Sequence, residues 1–452
     1  MSLTTPDAIR TLQRKLYTKA KQEPAYRFYA LYDKVCRADI LMFAYRLVRA
    51  NQGSPGVDGM DFEDIEQKIG IDTFLSELAQ DLKDKTYPPS PVRRVMIPKA
   101  DGSLRPLGIP TIRDRVAQMA VKLIIEPIFE ADFCPNSYGF RPKKSAHDAV
   151  DEIADALHKG YTQVIDADLS KYFDSIPHSK LLAVVAERIV DSAILHVIKQ
   201  WLKAPVIGED KDGTRKNVGG GKANSKGTPQ GGVISPLLSN CYLHLLDRIW
   251  EKHQLRWKLK ARIVRYADDF VVLCAGKVDA PMNTVRQVLE RLDLTLNETK
   301  TRIVDARQES FNFLGFAIGV NKSWQTGKSF THICPAPKSF VKVKDRITQL
   351  TARERTPIPL EDIVGSMNAT LRGWANYFHY RNSSKVLDKV RNHAEQRLRT
   401  HLMKRHKVKD RGTGISRFPS QQLYTKYGPL SNPKWVMLHS EQPMRHDCTF
   451  LL

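Results

Sequence analysis

Ile263-Val-Arg-Tyr-Ala-Asp-Asp-Phe-Val-Val-Leu-Cys274 consists of two apolar, β-forming runs separated by a polar centre that holds Asp268 and Asp269. Side chains alternate faces along a strand, so adjacent aspartates can serve one site only where the chain turns. The stretch therefore predicts a strand–turn–strand hairpin with both acids at its tip. Asp is common in turns for its own backbone hydrogen bonding, so the pair alone says little. About one hundred residues earlier, Val164-Ile-Asp-Ala-Asp-Leu169 is another apolar strand that meets acids at its end, with Asp168 at the terminus. Carboxylates gathered at neighbouring strand ends repel one another and need a cation to stay ionised together. Hard oxygen ligands suit Mg²⁺, which keeps coordination places for phosphate oxygens.

Outward from these acids, short strands and helices alternate. Residues 1–50 read as helical, Asn51 to Gly59 as a turn-rich break, and 61–85 as helical again. Tyr87-Pro-Pro-Ser-Pro91 must be extended, because proline lacks a donor and disfavours helix before it. Val92 to Pro98 reads as a strand and Lys99-Ala-Asp-Gly102 as its hairpin turn. A helix is expected at 113–130, a mobile Gly-, Lys- and Asn-rich loop from Gly208 to Gly232, a helix at 281–294 and a strand pair from Phe311 to Ile318. Cys334-Pro-Ala-Pro337 is the candidate boundary; beyond it Val364, Met367, Leu371, Trp374 and Phe378 recur on one helical face. Strands with helices up to about 330, then helices alone, predict an α+β core followed by an α-helical module.

The 452 residues are 42% hydrophobic and carry a net charge of +22, so the chain can bury real cores and should meet a polyanion. Residues 331–452 hold 22 Lys and Arg against 9 Asp and Glu, more than half of that excess. No run approaches the roughly 18 apolar residues of a membrane span. The N-terminus lacks the apolar core of a signal peptide, so a cytoplasmic protein without a membrane partner is expected. The six cysteines form no C-x-x-C pair, which argues for reduced thiols rather than zinc nodules or a disulfide framework.

Tyr266-Ala-Asp-Asp269 resembles the Y-x-D-D box of reverse transcriptases, and Asp168-Leu-Ser-Lys-Tyr-Phe-Asp174 resembles the segment carrying the other palm aspartate. Gly227-Thr-Pro-Gln-Gly-Gly-Val-Ile-Ser-Pro-Leu-Leu238 is similar to the block supporting template and nucleotide. Together with Arg105-Pro-Leu-Gly-Ile-Pro110, Ser137-Tyr-Gly-Phe-Arg-Pro142 and Phe313-Leu-Gly315, these blocks resemble bacterial group II intron-encoded reverse transcriptases, in the family's order over roughly 40–400. The resemblance implies a right-hand polymerase, with fingers and palm of antiparallel sheet flanked by helices, then an α-helical thumb or maturase domain. It implies an N-terminal extension with basic helices at 1–60, fingers at 61–160 and the palm with the aspartates and primer grip at 161–333. The thumb follows at 334–411, and a tail at 412–452 could bind DNA.

By the same resemblance, Asp168, Asp268 and Asp269, with the Leu169 carbonyl, hold two Mg²⁺ ions, for which Mn²⁺ can substitute. The implied reaction is attack of a primer 3′-hydroxyl on the α-phosphate of a deoxynucleoside triphosphate. Lys99 and Arg105 would reach the triphosphate, Gln230 the nucleotide or template, and Lys300 would protonate the pyrophosphate. Phe173 would crowd the sugar 2′ position, and Phe313, Leu314 and Gly315 would form the primer grip. Asn51 to Gly59 resembles the family's N-terminal extension block.

Leu371-Arg-Gly-Trp-Ala-Asn-Tyr-Phe378 resembles the maturase signature. The basic run after it puts Arg391, Arg397, Arg399, Lys404, Arg405 and Lys407 forward as RNA phosphate contacts. His446-Asp-Cys448 has no second ligand pair, so the chain resembles the short class C members without an H-N-H endonuclease, which would use a nick or replication-derived primer. The partners implied are the intron RNA, a template–primer duplex, target DNA and dNTPs, serving splicing and retrohoming. Two alternatives stand beside this: a non-catalytic splicing maturase, against which the intact acids argue, and a host-adopted reverse transcriptase in defence or repair.

Overall fold

The computed structural model describes residues 3–98, 102, 104–209, 212 and 214–427. The N-terminal apolar stripes form α1 (Asp7–Gln22), the short α2 (Tyr32–Val35) and α3 (Ala38–Ala50). The segment expected as one helix at 61–85 is split. Asp64–Ile69 is a π-helical turn, Gly70 follows at φ 88, and α4 (Ile71–Lys83) then begins.

β1 (Val92–Pro98) and β2 (Leu104–Ile109) form the expected hairpin. Lys99 and Asp101 of its turn lie outside the described residues. The long α5 (Ile112–Asp132) runs through the main core, starting from Thr111, whose hydroxyl accepts from the Asp114 amide at 3.1 Å. Pro127 cannot donate to the Leu123 carbonyl one turn back; Gln13 of α1 donates to it instead, at 3.0 Å. This substitution ties the N-terminal helix to the centre of the fold.

α6 (Ala146–His158) begins at a Ser145–Asp148 capping box. β3 (Gln163–Ala167), α7 (Tyr172–Ser175), α8 (His178–Ala186) and α9 (Ser192–Leu202) follow. The stretch from Gly208 to Gly232, expected to be a mobile loop, instead holds much of an ordered hairpin, β4 (Val206–Glu209) and β5 (Arg215–Gly219). β4 pairs in parallel with β1, so the sheet order is β2-β1-β4-β5, antiparallel apart from that one contact. The partner strand lies more than one hundred residues away, which local composition cannot reveal.

α10 (Ser235–Lys252) and the single turn α11 (Leu255–Lys258) lead into β6 (Ala261–Tyr266) and β7 (Asp269–Cys274). After α12 (Asp279–Arg291) and β8 (Arg302–Asp305), the second sheet is complete, antiparallel, in the order β6-β7-β3-β8. A third sheet, β11-β10-β9, comprises β9 (Phe311–Phe313), β10 (Phe316–Lys322) and β11 (Ser329–Pro335).

From Pro337 onward the chain is helical: α13 (Pro337–Leu350), α14 (Leu360–Phe378), α15 (Ser384–Arg405), α16 (Arg411–Arg417) and α17 (Ser420–Tyr427). Val364, Met367 and Leu371 of the apolar stripe are buried in this module's own core with Val343, Ile347, Val390 and Leu398. Phe378 at its end joins a different core, shared with α6 and the strands. Residues 428–452, with His446 and Cys448, lie outside the described residues. The other five cysteines are free thiols. Among the described residues, no helix is long and apolar enough to cross a membrane.

Candidate active site

The quoted hairpin closes as expected, Tyr266 pairing with Asp269 across a two-residue turn of Ala267 and Asp268. Ala267 has φ 57, a conformation usually left to glycine, so its surroundings must hold it. Two contacts do. The Arg265 guanidinium donates to the Ala267 carbonyl at 2.9 Å from within the protein. Gly139 lies against the turn so closely that a Cβ there would stand 2.2 Å from the Ala267 nitrogen.

Arg265 and Asp247 are both fully buried and paired at 2.5 Å. The remaining guanidinium donors reach Asn240 Oδ1 at 3.0 Å and the Ala267 carbonyl, and Asn136 donates to Asp247 at 3.0 Å. Backbone bonds lace the 136–139 segment to β6: Arg265 N to Asn136 O at 2.9 Å and Tyr138 N to Arg265 O at 2.8 Å. Arg141 fastens the other end of that segment, donating to Glu130 and to the Cys134 and Ser137 carbonyls.

β3 runs beside β7 with Ala167 opposite Phe270, which delivers Asp168 to the same sheet end as Asp269. The three acids feel one another. Asp269 is pushed up to about 7, first by the protein crowded around it, then by Asp268, Asp168 and Asp166, with Lys300 opposing. Its side chain still meets solvent at the cleft. Asp268 is raised by burial, and by Asp168, while Arg105 and Arg265 act to lower it. Asp166 is raised to about 6 by burial and by Asp168, against Arg302.

Lys300 stands 3.6 Å from Asp168. Asp168 O accepts from Asn297 N at 2.8 Å and Ser170 N donates to Thr295 O at 2.9 Å, which leaves the Leu169 carbonyl outside this pair of bonds. Among the described residues, no three His, Cys, Asp or Glu side chains converge into a metal cage made by protein alone. The donors present, two hard carboxylates and a nearby carbonyl, match a cation that keeps places for phosphate and water.

Phe173 sits on α7, half-buried against Tyr172. Its carbonyl accepts from Thr228 N at 2.7 Å, which joins α7 to the Gly227–Gly232 block. Gln230 in that block donates to Asp174 at 3.2 Å, and its carbonyl accepts from Gly108 of β2 at 2.6 Å. Gly231, at φ 110, lies so near Gly108 that a Cβ would meet its carbonyl at 2.3 Å. The block therefore joins β2 to α7, the turn that follows β3, and Arg105 of β2 lies close enough to act on Asp268.

Leu314 and Gly315, at φ 49 and 80, make the turn between β9 and β10. Tyr377 of α14 donates to the Leu314 carbonyl at 2.9 Å, and Ser339 of α13 donates to the Gly315 carbonyl at 3.0 Å. Phe313 is buried beneath.

The basic run divides. Arg397 donates to Thr351 Oγ1 and to the Thr348 and Thr351 carbonyls; Arg399 donates to the Phe418 carbonyl and pairs with Glu395; Arg405 donates to the Thr356 and Ile358 carbonyls. These three guanidiniums fasten α15 to its neighbours. Arg391 pairs with Asp388, whereas Lys404 and Lys407 stand exposed.

Sequence reading passed over Arg265, Asp247, Gly139, Asp166 and Tyr377. Arg265 was visible beside the acids, but nothing local showed that it is sealed from water. Asp166 carried a signal in the strand alternation that places it on the same face as Asp168.

Residues 97–318 match the family of reverse transcriptases (RNA-dependent DNA polymerases), and residues 341–418 match the group II intron maturase-specific domain. The chain is 36% identical to Protein YkfC of Escherichia coli K12 over 347 residues, 69% of this chain and 88% of that one. It is 28% identical to the group II intron-encoded protein LtrA of Lactococcus lactis over 437 residues, covering 78% of this chain and 70% of LtrA. A 91 kDa protein in the cob intron of Schizosaccharomyces pombe is 27% identical over 425 residues, 77% of this chain and 50% of that one.

Removing one partner of a buried ion pair leaves the other charge stranded, at a cost of about 3–5 kcal/mol. Asp247→Ala should lower the urea unfolding free energy by that amount, and adding Arg265→Met should recover most of it. An unchanged midpoint in the single variant would refute the role given to the pair.

Proposed function

This chain belongs to the group II intron-encoded reverse transcriptases that carry a maturase domain, and from that membership we propose how its cleft works. It is an RNA-directed DNA polymerase that binds intron RNA. Its polymerase depends on a divalent metal; our reading is that Asp168 and Asp268 hold two Mg²⁺ ions, with Asp269 and the Leu169 carbonyl beside them. Magnesium, when bound, supplies positive charge to the phosphoryl oxygens and lowers the pKa of the primer hydroxyl. The observation that carries this assignment is that β3 and the β6–β7 turn bring Asp168 and Asp268 to one sheet end, close enough for Asp168 to raise Asp268.

The chain's own groups do the rest. Arg105, with Lys99 from the β1–β2 turn, grips the triphosphate of a dNTP. Phe173 closes the space a 2′-hydroxyl would need. Gln230 orients the nucleotide from a block fixed to β2 and to α7. The Phe313-Leu314-Gly315 turn sets the primer 3′ end, and Tyr377 holds that turn. Lys300, 3.6 Å from Asp168, donates a proton to the leaving pyrophosphate. The template–primer duplex lies between this cleft and α13–α15, where Lys404 and Lys407 face its phosphates. Target DNA is engaged during retrohoming.

Primer extension on an RNA template with dNTPs and Mg²⁺ tests this reading. Asp268→Ala should slow extension about a thousandfold, the loss of several kcal/mol of charge stabilisation, and EDTA should stop it; extension by the variant at the wild-type rate would remove the metal assignment. Phe173→Ala should raise ribonucleotide incorporation roughly tenfold to a hundredfold, and unchanged discrimination would dismiss the gate. Gly139→Ala forces a Cβ into the Ala267 backbone, and a displacement near 1 Å should cut extension about a hundredfold while the protein stays folded by circular dichroism.

A further inference from the structure

Residues 252–260, Lys-His-Gln-Leu-Arg-Trp-Lys-Leu-Lys, hold four Lys and Arg, one exposed tryptophan and no acid. They form α11 and its flanks, at the end of β6 opposite the acid-bearing turn. Six strand residues at about 3.3 Å each put roughly 20 Å between this turn and the cleft.

The turn is held rigidly. Gln254 and Lys260 bracket it in left-handed conformation, at φ 52 and 47. Ala275 N donates to the Lys260 carbonyl at 2.9 Å, and Trp250 Nε1 donates to the Ala261 carbonyl at 3.2 Å. Leu255 and Leu259 pack toward the main core. Trp257 does not: it is 68% exposed, an unusual place for so large an apolar ring. The Arg256 guanidinium lies 5.1 Å from its centroid, and Arg256 Nε is buried without a hydrogen-bond partner. Lys252, Lys258 and Lys260 are exposed, and no carboxylate pairs with them or with Arg256 among the described residues.

We propose that this turn is a second RNA site, where Trp257 stacks on an unpaired base of the intron RNA and Lys252, Lys258 and Lys260 hold the adjoining phosphates. The inference rests on the maturase reading and names a surface for it. A ring with a guanidinium beside it and three exposed lysines in the same nine-residue stretch matches single-stranded RNA, which offers a π-face and a phosphate together. Paired bases hide their faces, so a duplex would leave the ring unused. A membrane surface would need a broader apolar face than one ring, because both leucines point inward.

The test uses the full chain preloaded with a template–primer duplex, so that the cleft is occupied. A short single-stranded oligo(U) containing iodouridine should photo-crosslink at Trp257, read by mass spectrometry. Trp257→Ala should weaken oligo(U) binding roughly tenfold, as loss of one stacked base does. Lys258→Ala with Lys260→Ala should weaken it similarly and flatten its salt dependence. Primer extension by both variants should stay at the wild-type rate. Unchanged oligo(U) affinity, a crosslink elsewhere, or a parallel loss of extension would overturn the proposal. So would Trp257-dependent binding to phosphatidylglycerol vesicles with no effect on RNA. Absence of extension in the wild-type chain would instead count against the polymerase reading.

Discussion

Arg265 and Asp247 pair at zero exposure, and the position of the acids depends on their pairing. Removing two charges from water is costly, and their attraction offsets this only when every remaining donor and acceptor is met. Here they nearly all are: Asp247, Asn240 and the Ala267 carbonyl take the guanidinium, and Asn136 supports Asp247. A lysine could not span these partners, because the planar fork addresses several directions at once. An apolar pair would stabilise the palm equally well but would leave Ala267 without its donor. The ion pair is therefore better understood as a device for holding a strained turn than as a source of stability.

That turn is strained twice over. Its backbone occupies a region alanine avoids, and its side chains bring like charges together. Burial and repulsion raise Asp268 and Asp269, while Arg105, Arg265 and Lys300 pull the other way. The cations come from separate elements: Arg105 from β2, Arg265 from β6 and Lys300 from the segment before β8. Arg105's share of this balance therefore depends on how β2 is docked against the second sheet. Gln230 and Gly231, wedged against Gly108, enforce that docking through backbone contacts that no larger residue at position 231 would permit. Fold and electrostatics are thus one problem at this cleft.

Much of this was legible in the residues. The hairpin at 263–274, the strand ending at Asp168 and the helical stripe through Leu371 followed from period and turn chemistry, because each depends on neighbours in sequence. The misreadings share one cause. β4 and β5 exist because β1 is available to pair with them. Gly70 divides a helix that composition alone would continue. The Arg265 network draws its parts from 136–139, α10 and β6, and no local window contains it. Long-range pairing decides each of these, whereas local pattern decides the others.

The basic run shows why counting charge does not locate an interface. Residues 331–452 hold much of the excess positive charge, and α15 seemed the obvious place for RNA. Yet Arg397, Arg399 and Arg405 donate to carbonyls of their own module, capping helix ends and anchoring α16 and α17. A guanidinium already engaged by two or three carbonyls can meet a phosphate only by giving those bonds up. Lysines, with one flexible ammonium and fewer fixed partners, remain exposed at 404 and 407, as they do around Trp257. In this module Arg397, Arg399 and Arg405 fasten segments to one another, and Lys404 and Lys407 are what α15 and its end present to the surface. RNA contacts should therefore be sought where exposed lysines coincide with an exposed ring, more than where the sequence is most basic.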